Sequence, residues 1–179
     1  MLPDLPLIRN DGTADSLHAH AGNVLLVVNT ASQCGLTPQY AGLEALQQQL
    51  AGRGFEVLAF PANDFGAQEP GTDTEIASFC EVNFGASFPL FAKASVVGDA
   101  KHPLYAALTA AIPTKQGDAE GFRERLRGHG LVPQEDPEVL WNFEKFLIGR
   151  DMEVIARFAP TTAPDDAALL AEIDRALDA

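Results

Sequence analysis

The chain has 179 residues, 46% of them hydrophobic, which suits one domain with a sizeable core and argues against disorder. Its formal net charge of −13, from 25 acidic and 12 basic side chains, repels phosphate backbones and anionic lipid, so nucleic-acid and membrane partners are not expected. No apolar stretch approaches the ~18 residues of a membrane span, and the start shows no basic segment followed by a long apolar run. With only Cys34 and Cys80, a disulfide framework is excluded and a reducing cytoplasm is the expected setting.

Residues 5–9 and 13–18 flank Asn10-Asp11-Gly12, a hairpin signal. Val24 to Val28 is a continuous apolar run of strand length, the pattern of a strand buried on both faces. Thr37 and Pro38 then suit the N-cap and first residue of a helix carrying Leu43, Leu46 and Leu50, ended by Gly52 and Gly54. Phe55 to Phe60 reads as a second buried strand, so strand, helix and strand imply a right-handed parallel crossover. After the loop PANDFGAQEPGTD, Thr72 to Glu75 forms a capping box for a helix with Ile76, Phe79 and Cys80 on one face. FPLFAKASVVG predicts a short strand, and His102-Pro103 starts a helix with Leu104, Leu108 and Ile112 on one side. Residues 113–138 read as a polar surface excursion, with Arg123, Arg125 and Arg127 as a solvated face. LWNFEKFLIGRDMEVIARF predicts two strands around a turn at Gly149 to Asp151, and Pro164 opens a last helix with Leu169, Leu170, Ile173 and Leu177. The sum is α/β: a mixed sheet, a terminal hairpin and helices on both faces.

Cys34 decides the chemistry. Free cysteine is usually a small buried hydrophobe. Yet Cys34 lies in the polar turn Ser-Gln-Cys-Gly, after a presumed parallel strand and before a helix, where ligand sites of open α/β sheets tend to lie. Unpaired N–H groups and the partial positive charge at a helix N-terminus favour thiolate over thiol. On these residues alone, hydrophobe and nucleophile both stand. A metal site is not expected: two cysteines and four scattered histidines, with His18 and His20 in a polar stretch, lack ligand spacing. Thr37 occupies the second position of a would-be C-x-x-C, which argues against a general disulfide reductase.

VNTASQCGLTPQY, LAFPANDFGAQEPG and LWNFEKFLIGRD together resemble the glutathione peroxidase family, in its cysteine-containing bacterial form, over nearly the whole chain. The resemblance implies a thioredoxin-like fold, a single peroxidase domain over 1–179 and a catalytic set of Cys34, Gln68, Trp141 and Asn142. Such a site must hold a thiolate and stabilise charge on the departing peroxide oxygen. Gln68, Asn142 and Trp141 supply N–H donors that do not titrate near neutrality. Taken singly, each has an ordinary reading: Trp141 as core, Gln68 as solvated loop, Asn142 as turn. The expected activity is reduction of hydrogen peroxide and organic hydroperoxides through a Cys34 sulfenic acid.

The oxidised sulfur must then be returned to thiol. The resemblance places a resolving cysteine at Cys80, recycled by thioredoxin, with direct recycling by glutathione as the alternative. Relative to plant-type members the offset from FPLF differs by one residue, a rotation of about 100° on a helix, and core packing beside Ile76 and Phe79 stays open. A disulfide needs Cα atoms within about 7 Å, so the Cys80 helix and the loop before it are expected to unwind. A peroxide sensor that relays its disulfide to a partner is the second class of function. No bound cofactor is implied, because sulfur carries the electrons. Ala62 and Asp64 stand where the family often has cysteine and glutamine, and an inward Asp64 would oppose the thiolate. Residues 113–138 match a segment that contributes to subunit contacts in animal tetramers. A homo-oligomer is one reading and a mobile surface loop the simpler one.

Overall fold

The computed structural model describes residues 1–179. Strands β1 (Pro6–Ile8) and β2 (Ala14–Ser16) form the N-terminal hairpin, with Leu7 paired to Asp15. The central sheet has the order β4-β3-β5-β6, built from β3 (Val24–Thr30), β4 (Phe55–Pro61), β5 (Lys145–Ile148) and β6 (Val154–Phe158). β3 runs parallel to β4 and antiparallel to β5, and β5 runs antiparallel to β6. This is the mixed, thioredoxin-like sheet that the resemblance implies.

Every residue of β3 is buried, and its side chains alternate between two cores. Leu25 and Val27 join a core with α3 (Pro103–Ala111) and α4 (Ala119–Gly128). Val24, Leu26 and Val28 join the other, with α1 (Gln39–Leu50), α2 (Asp73–Phe84) and α5 (Ala167–Leu177). Truncating one such leucine to alanine costs about 2–5 kcal/mol. β3 is therefore a stiff floor, and its carboxyl end fixes where the following turn begins.

Several boundaries differ from the sequence reading. α1 starts at Gln39, and Pro38 caps it without a side-chain bond. α5 starts at Ala167, because Asp166, not Pro164, caps it by accepting from the Ala168 and Leu169 N–H groups. FPLF forms no strand: only isolated bridges, Leu90 to Ala59 and Phe91 to Arg9, join it to its neighbours. Residues 113–138 contain α4, capped by Asp118, and are anchored to the sheet. The fully buried Arg157 donates to the carbonyls of Ile112, Pro113 and Glu138 at 2.9 Å each, which argues against a mobile loop. Arg123 is only 7% exposed and bonds the Asp136 carboxylate at 3.0 Å and the Gln134 carbonyl at 3.2 Å, so it is not part of a solvated face. α4 is otherwise so charged that its apolar stripe is little more than Phe122 and Leu126, too thin to read from sequence.

Candidate active site

Cys34 sits in the turn between β3 and α1, half-buried and packed against both cores. Thr37 shapes that turn. Its hydroxyl accepts from the Cys34 N–H at 3.0 Å and donates to the Ala31 carbonyl at 2.8 Å. Its own N–H donates to the Cys34 carbonyl at 3.0 Å. Thr37 therefore braces the cysteine rather than capping α1 as the sequence suggested. The Leu36 N–H points at the Cys34 sulfur at 3.4 Å, a backbone donor already aimed at the reactive atom. An aligned N–H favours negative charge on sulfur, as donors at a helix start do.

The loop from β4 to α2 supplies Gln68. Gly66 and Ala67 both adopt left-handed backbone, at φ 64° and 52°. Glycine reaches this region freely, whereas Ala67 carries local strain. The double turn brings the Gln68 carbonyl to the Gln33 N–H at 3.0 Å, tying this loop to the residue before Cys34. Glu69, 1% exposed, accepts from the Ser32 hydroxyl at 3.1 Å and holds the Asn63 side chain through its own N–H at 2.9 Å. Burial pushes the Glu69 carboxyl above its ordinary value, and the Ser32 bond and Lys93 charge pull against that.

The third segment, Leu140 to Glu144, precedes β5. Asn29 at the end of β3 organises it: its amide donates to the Trp141 carbonyl at 3.0 Å, and its carbonyl accepts from the Phe143 N–H at 2.6 Å. Phe143 is left-handed at φ 67°, and the buried Lys145 ammonium holds its carbonyl at 2.6 Å. The kink turns Asn142 toward Gln68, and the Asn142 amide donates to Gln68 Oε1 at 3.0 Å. That bond leaves the Gln68 NH₂ group free. Neither it nor the Trp141 indole N–H has a hydrogen-bond partner within the chain. The indole, 8% exposed, lies in the core against which Cys34 packs, with its centroid 5.3 Å from that of Phe65.

The structure thus converges the loops of Cys34, Gln68, Trp141 and Asn142 at the carboxyl ends of β3 and β4, the expected place for a site in an open α/β sheet. Cys80 is elsewhere. It lies inside α2, 2% exposed, in the core with Ile76, and lines a groove of about 760 Å³ with Glu56, Glu81 and Phe88. Both thiols are free. Asp64 does not point inward: its carboxylate accepts from the Ser95 hydroxyl at 2.8 Å and the Val96 N–H at 2.7 Å. His20, expected in a loose polar stretch, is buried in a 3-10 turn and bonds Glu56 at 2.6 Å and Asp15 at 3.2 Å. Sequence reasoning missed Asn29, Glu69 and Lys145. Asn29 had a readable signal, a polar residue directly after a five-residue apolar run; Glu69 and Lys145 had none beyond adjacency to motif residues.

Residues 3–109 match the family model for glutathione peroxidase. The chain belongs to the glutathione peroxidase family. The thioredoxin/glutathione peroxidase BtuE of Escherichia coli is 49% identical over 93% of this chain and 92% of its own length. A hydroperoxy fatty acid reductase of Synechocystis is 47% identical over 93% of this chain and 90% of its own. The crystal structure of apo Trgpx superposes with a TM-score of 0.70 at 35% identity, covering 98% of this chain and 94% of that one. Like its family, this glutathione peroxidase homologue is a thiol-dependent peroxidase, an oxidoreductase that takes peroxide as substrate and a thiol as reductant. The family model spans Cys34, Gln68 and Cys80 and stops before Trp141 and Asn142, so the LWNF segment enters the site through the structural bonds described above.

Proposed function

We propose that Cys34 is the peroxidatic nucleophile of a single domain over residues 1–179, acting on hydrogen peroxide and organic hydroperoxides. The carrying observation is the placement of its sulfur under the Leu36 N–H, beside a loop that offers the unpaired Gln68 amide. The Cys34 thiolate attacks the terminal peroxide oxygen, the O–O bond breaks, and Cys34 becomes a sulfenic acid while alkoxide or hydroxide leaves. The Gln68 NH₂ and Trp141 indole N–H stabilise charge on the sulfur and the departing oxygen, and water protonates that oxygen. Asn142 orients Gln68 through its amide bond.

In the second half of the cycle Cys80 attacks the sulfenic acid, expelling water, and thioredoxin reduces the resulting disulfide. The name of the 49% identical relative couples thioredoxin with glutathione, and the Synechocystis relative's name supports lipid-like hydroperoxides as substrates. No helix is long and apolar enough to cross a membrane, and a cytoplasmic setting is our reading of a sequence with only two cysteines. Steady-state peroxide consumption tests the assignment. Cys34→Ser is expected to lose more than about 10³-fold in activity with either donor. Cys80→Ser is expected to lose thioredoxin-dependent turnover while still reacting once with peroxide. Unchanged thioredoxin-dependent turnover in Cys80→Ser would move the assignment to direct recycling by glutathione.

A further inference from the structure

The loop that carries Gln68 is strained. Ala67, just before it, is left-handed, and a residue keeps such a conformation only where its surroundings hold it there. On the Cys34 side the hold is the Gln33 N–H, which donates to the Gln68 carbonyl at 3.0 Å. A second hold comes from Lys93, a residue with no part in the site described above. Its ammonium donates to the Glu69 carbonyl at 3.2 Å and to the Gly71 carbonyl at 2.6 Å, the two carbonyls that flank Pro70. Its backbone N–H donates to the Asp73 carboxylate at 2.8 Å, at the first residue of α2.

Lys93 is itself fixed to the sheet. The Phe91 N–H donates to the Ala59 carbonyl at 2.9 Å and the Ala94 N–H to the Pro61 carbonyl at 3.0 Å, both on β4, the edge strand. These bonds fasten the segment after FPLF along β4, and the Lys93 ammonium carries that position across to the Gln68 loop. A lysine suits the task, because one ammonium turns three donors toward several carbonyls and its charge strengthens each bond.

We propose that Lys93 is a positioning residue for the peroxide step, whose bonds to the Glu69 and Gly71 carbonyls hold the Gln68 amide at its place in the cleft. This rests on the reading of Gln68 as a donor to the sulfur and the departing oxygen. Lys93 acts through the loop alone, since its ammonium bonds main-chain carbonyls and no site side chain. A preorganised donor is effective only at hydrogen-bond distance from the atom where charge develops, so a loop released on one side loses rate without losing the residue. The same ammonium also opposes the upward push of burial on the Glu69 carboxyl, a route that bypasses Gln68 and that the test must separate.

The test is Lys93→Met, made in the wild type and in Gln68→Ala. Lys93 is an exposed residue, so the substitution opens no cavity. Each reduced protein is mixed with hydrogen peroxide, and the second-order rate of Cys34 oxidation is measured in stopped flow. Lys93→Met is expected to slow it about 3–10-fold, the worth of one such hydrogen bond. Lys93→Arg, which keeps the charge and the N–H donors, should return it to within about twofold, and in Gln68→Ala the methionine should add no loss beyond about twofold. No loss in Lys93→Met, a loss that arginine does not relieve, or an equal loss with and without Gln68 overturns the proposal. A slow Gln68→Ala beside a fast Lys93→Met sinks this inference alone. A Gln68→Ala protein as fast as the wild type sinks the reading of Gln68 as a donor, and this inference with it.

Discussion

Cys34 and Cys80 carry the same side chain in opposite surroundings. Cys34 is in a braced turn, half-exposed, with a backbone N–H already on its sulfur and amide donors across the cleft. Cys80 is in the middle of a regular helix, 2% exposed, with its thiol pushed up by burial. The first surrounding suits a sulfur that must react at once with a small molecule. The second suits a sulfur held back until its partner has been oxidised, because a reactive thiolate in the open would itself be oxidised. Backbone geometry separates the two: left-handed residues at Gly66, Ala67 and Phe143 shape the loops around Cys34, and a capped helix buries Cys80.

The sharpest way to break the comparison is to remove a donor from the Cys34 side. Gln68→Ala deletes the free amide and the partner of Asn142. The second-order rate of Cys34 with peroxide should fall about 10²–10³-fold, as when one preorganised donor is lost. Global stability should change little, because the side chain is only half-buried. A fall of less than threefold would make the Gln68–Asn142 bond structural.

On the other side, the proposed cycle has α2 opening to bring Cys80 to Cys34. Its N-terminus is secured by a capping box in which the Thr72 hydroxyl accepts from the Glu75 N–H at 3.3 Å and the Glu75 carboxylate accepts from the Thr72 N–H at 2.8 Å. Thr72→Ala should cost about 1 kcal/mol. If opening limits resolution, that substitution should speed disulfide formation by up to about fivefold while lowering the melting temperature. A lower melting temperature with no faster disulfide would place the limiting step elsewhere.

A smaller effect concerns the support beneath Asn142. Burial lowers the Lys145 ammonium from 10.5 to about 7, while the adjacent Glu144 charge opposes the shift. Between pH 7 and about 10 the unfolded chain holds that proton and the folded chain has released it, so stability rises with pH across this window and is lower below pH 7. Lys145→Met should flatten that rise in urea midpoints measured from pH 7 to 10. An unchanged slope would mean that Lys145 stays charged in its cage of carbonyls.

Much of this was readable in the chain. The apolar run of β3, the parallel partner β4 and the capping box at Thr72 follow from residue type and spacing, and the structure keeps all three. What could not be read depends on distant contacts. α4 is held by Arg157, a residue far along the chain, and FPLF resembles a strand but makes only isolated bridges. The four expected site residues come from short, local motifs, and the structure brings the loops that carry them together. Of their supports, Asn29 shows only as a polar residue after an apolar run and Lys145 not at all, because what matters about both is the carbonyl they hold. Cys80 fell between: its helix was legible and core packing was one of its two readings, and the structure buries it beside Ile76.

The fate of the two thiols after a single oxidation tests the proposed cycle most directly. Reduced protein would receive one equivalent of hydrogen peroxide, followed by alkylation and peptide mapping by mass spectrometry. The expected product is a single cross-linked pair of peptides containing Cys34 and Cys80, with no free thiol left. A sulfenic or overoxidised Cys34 peptide beside an intact Cys80 thiol would contradict it.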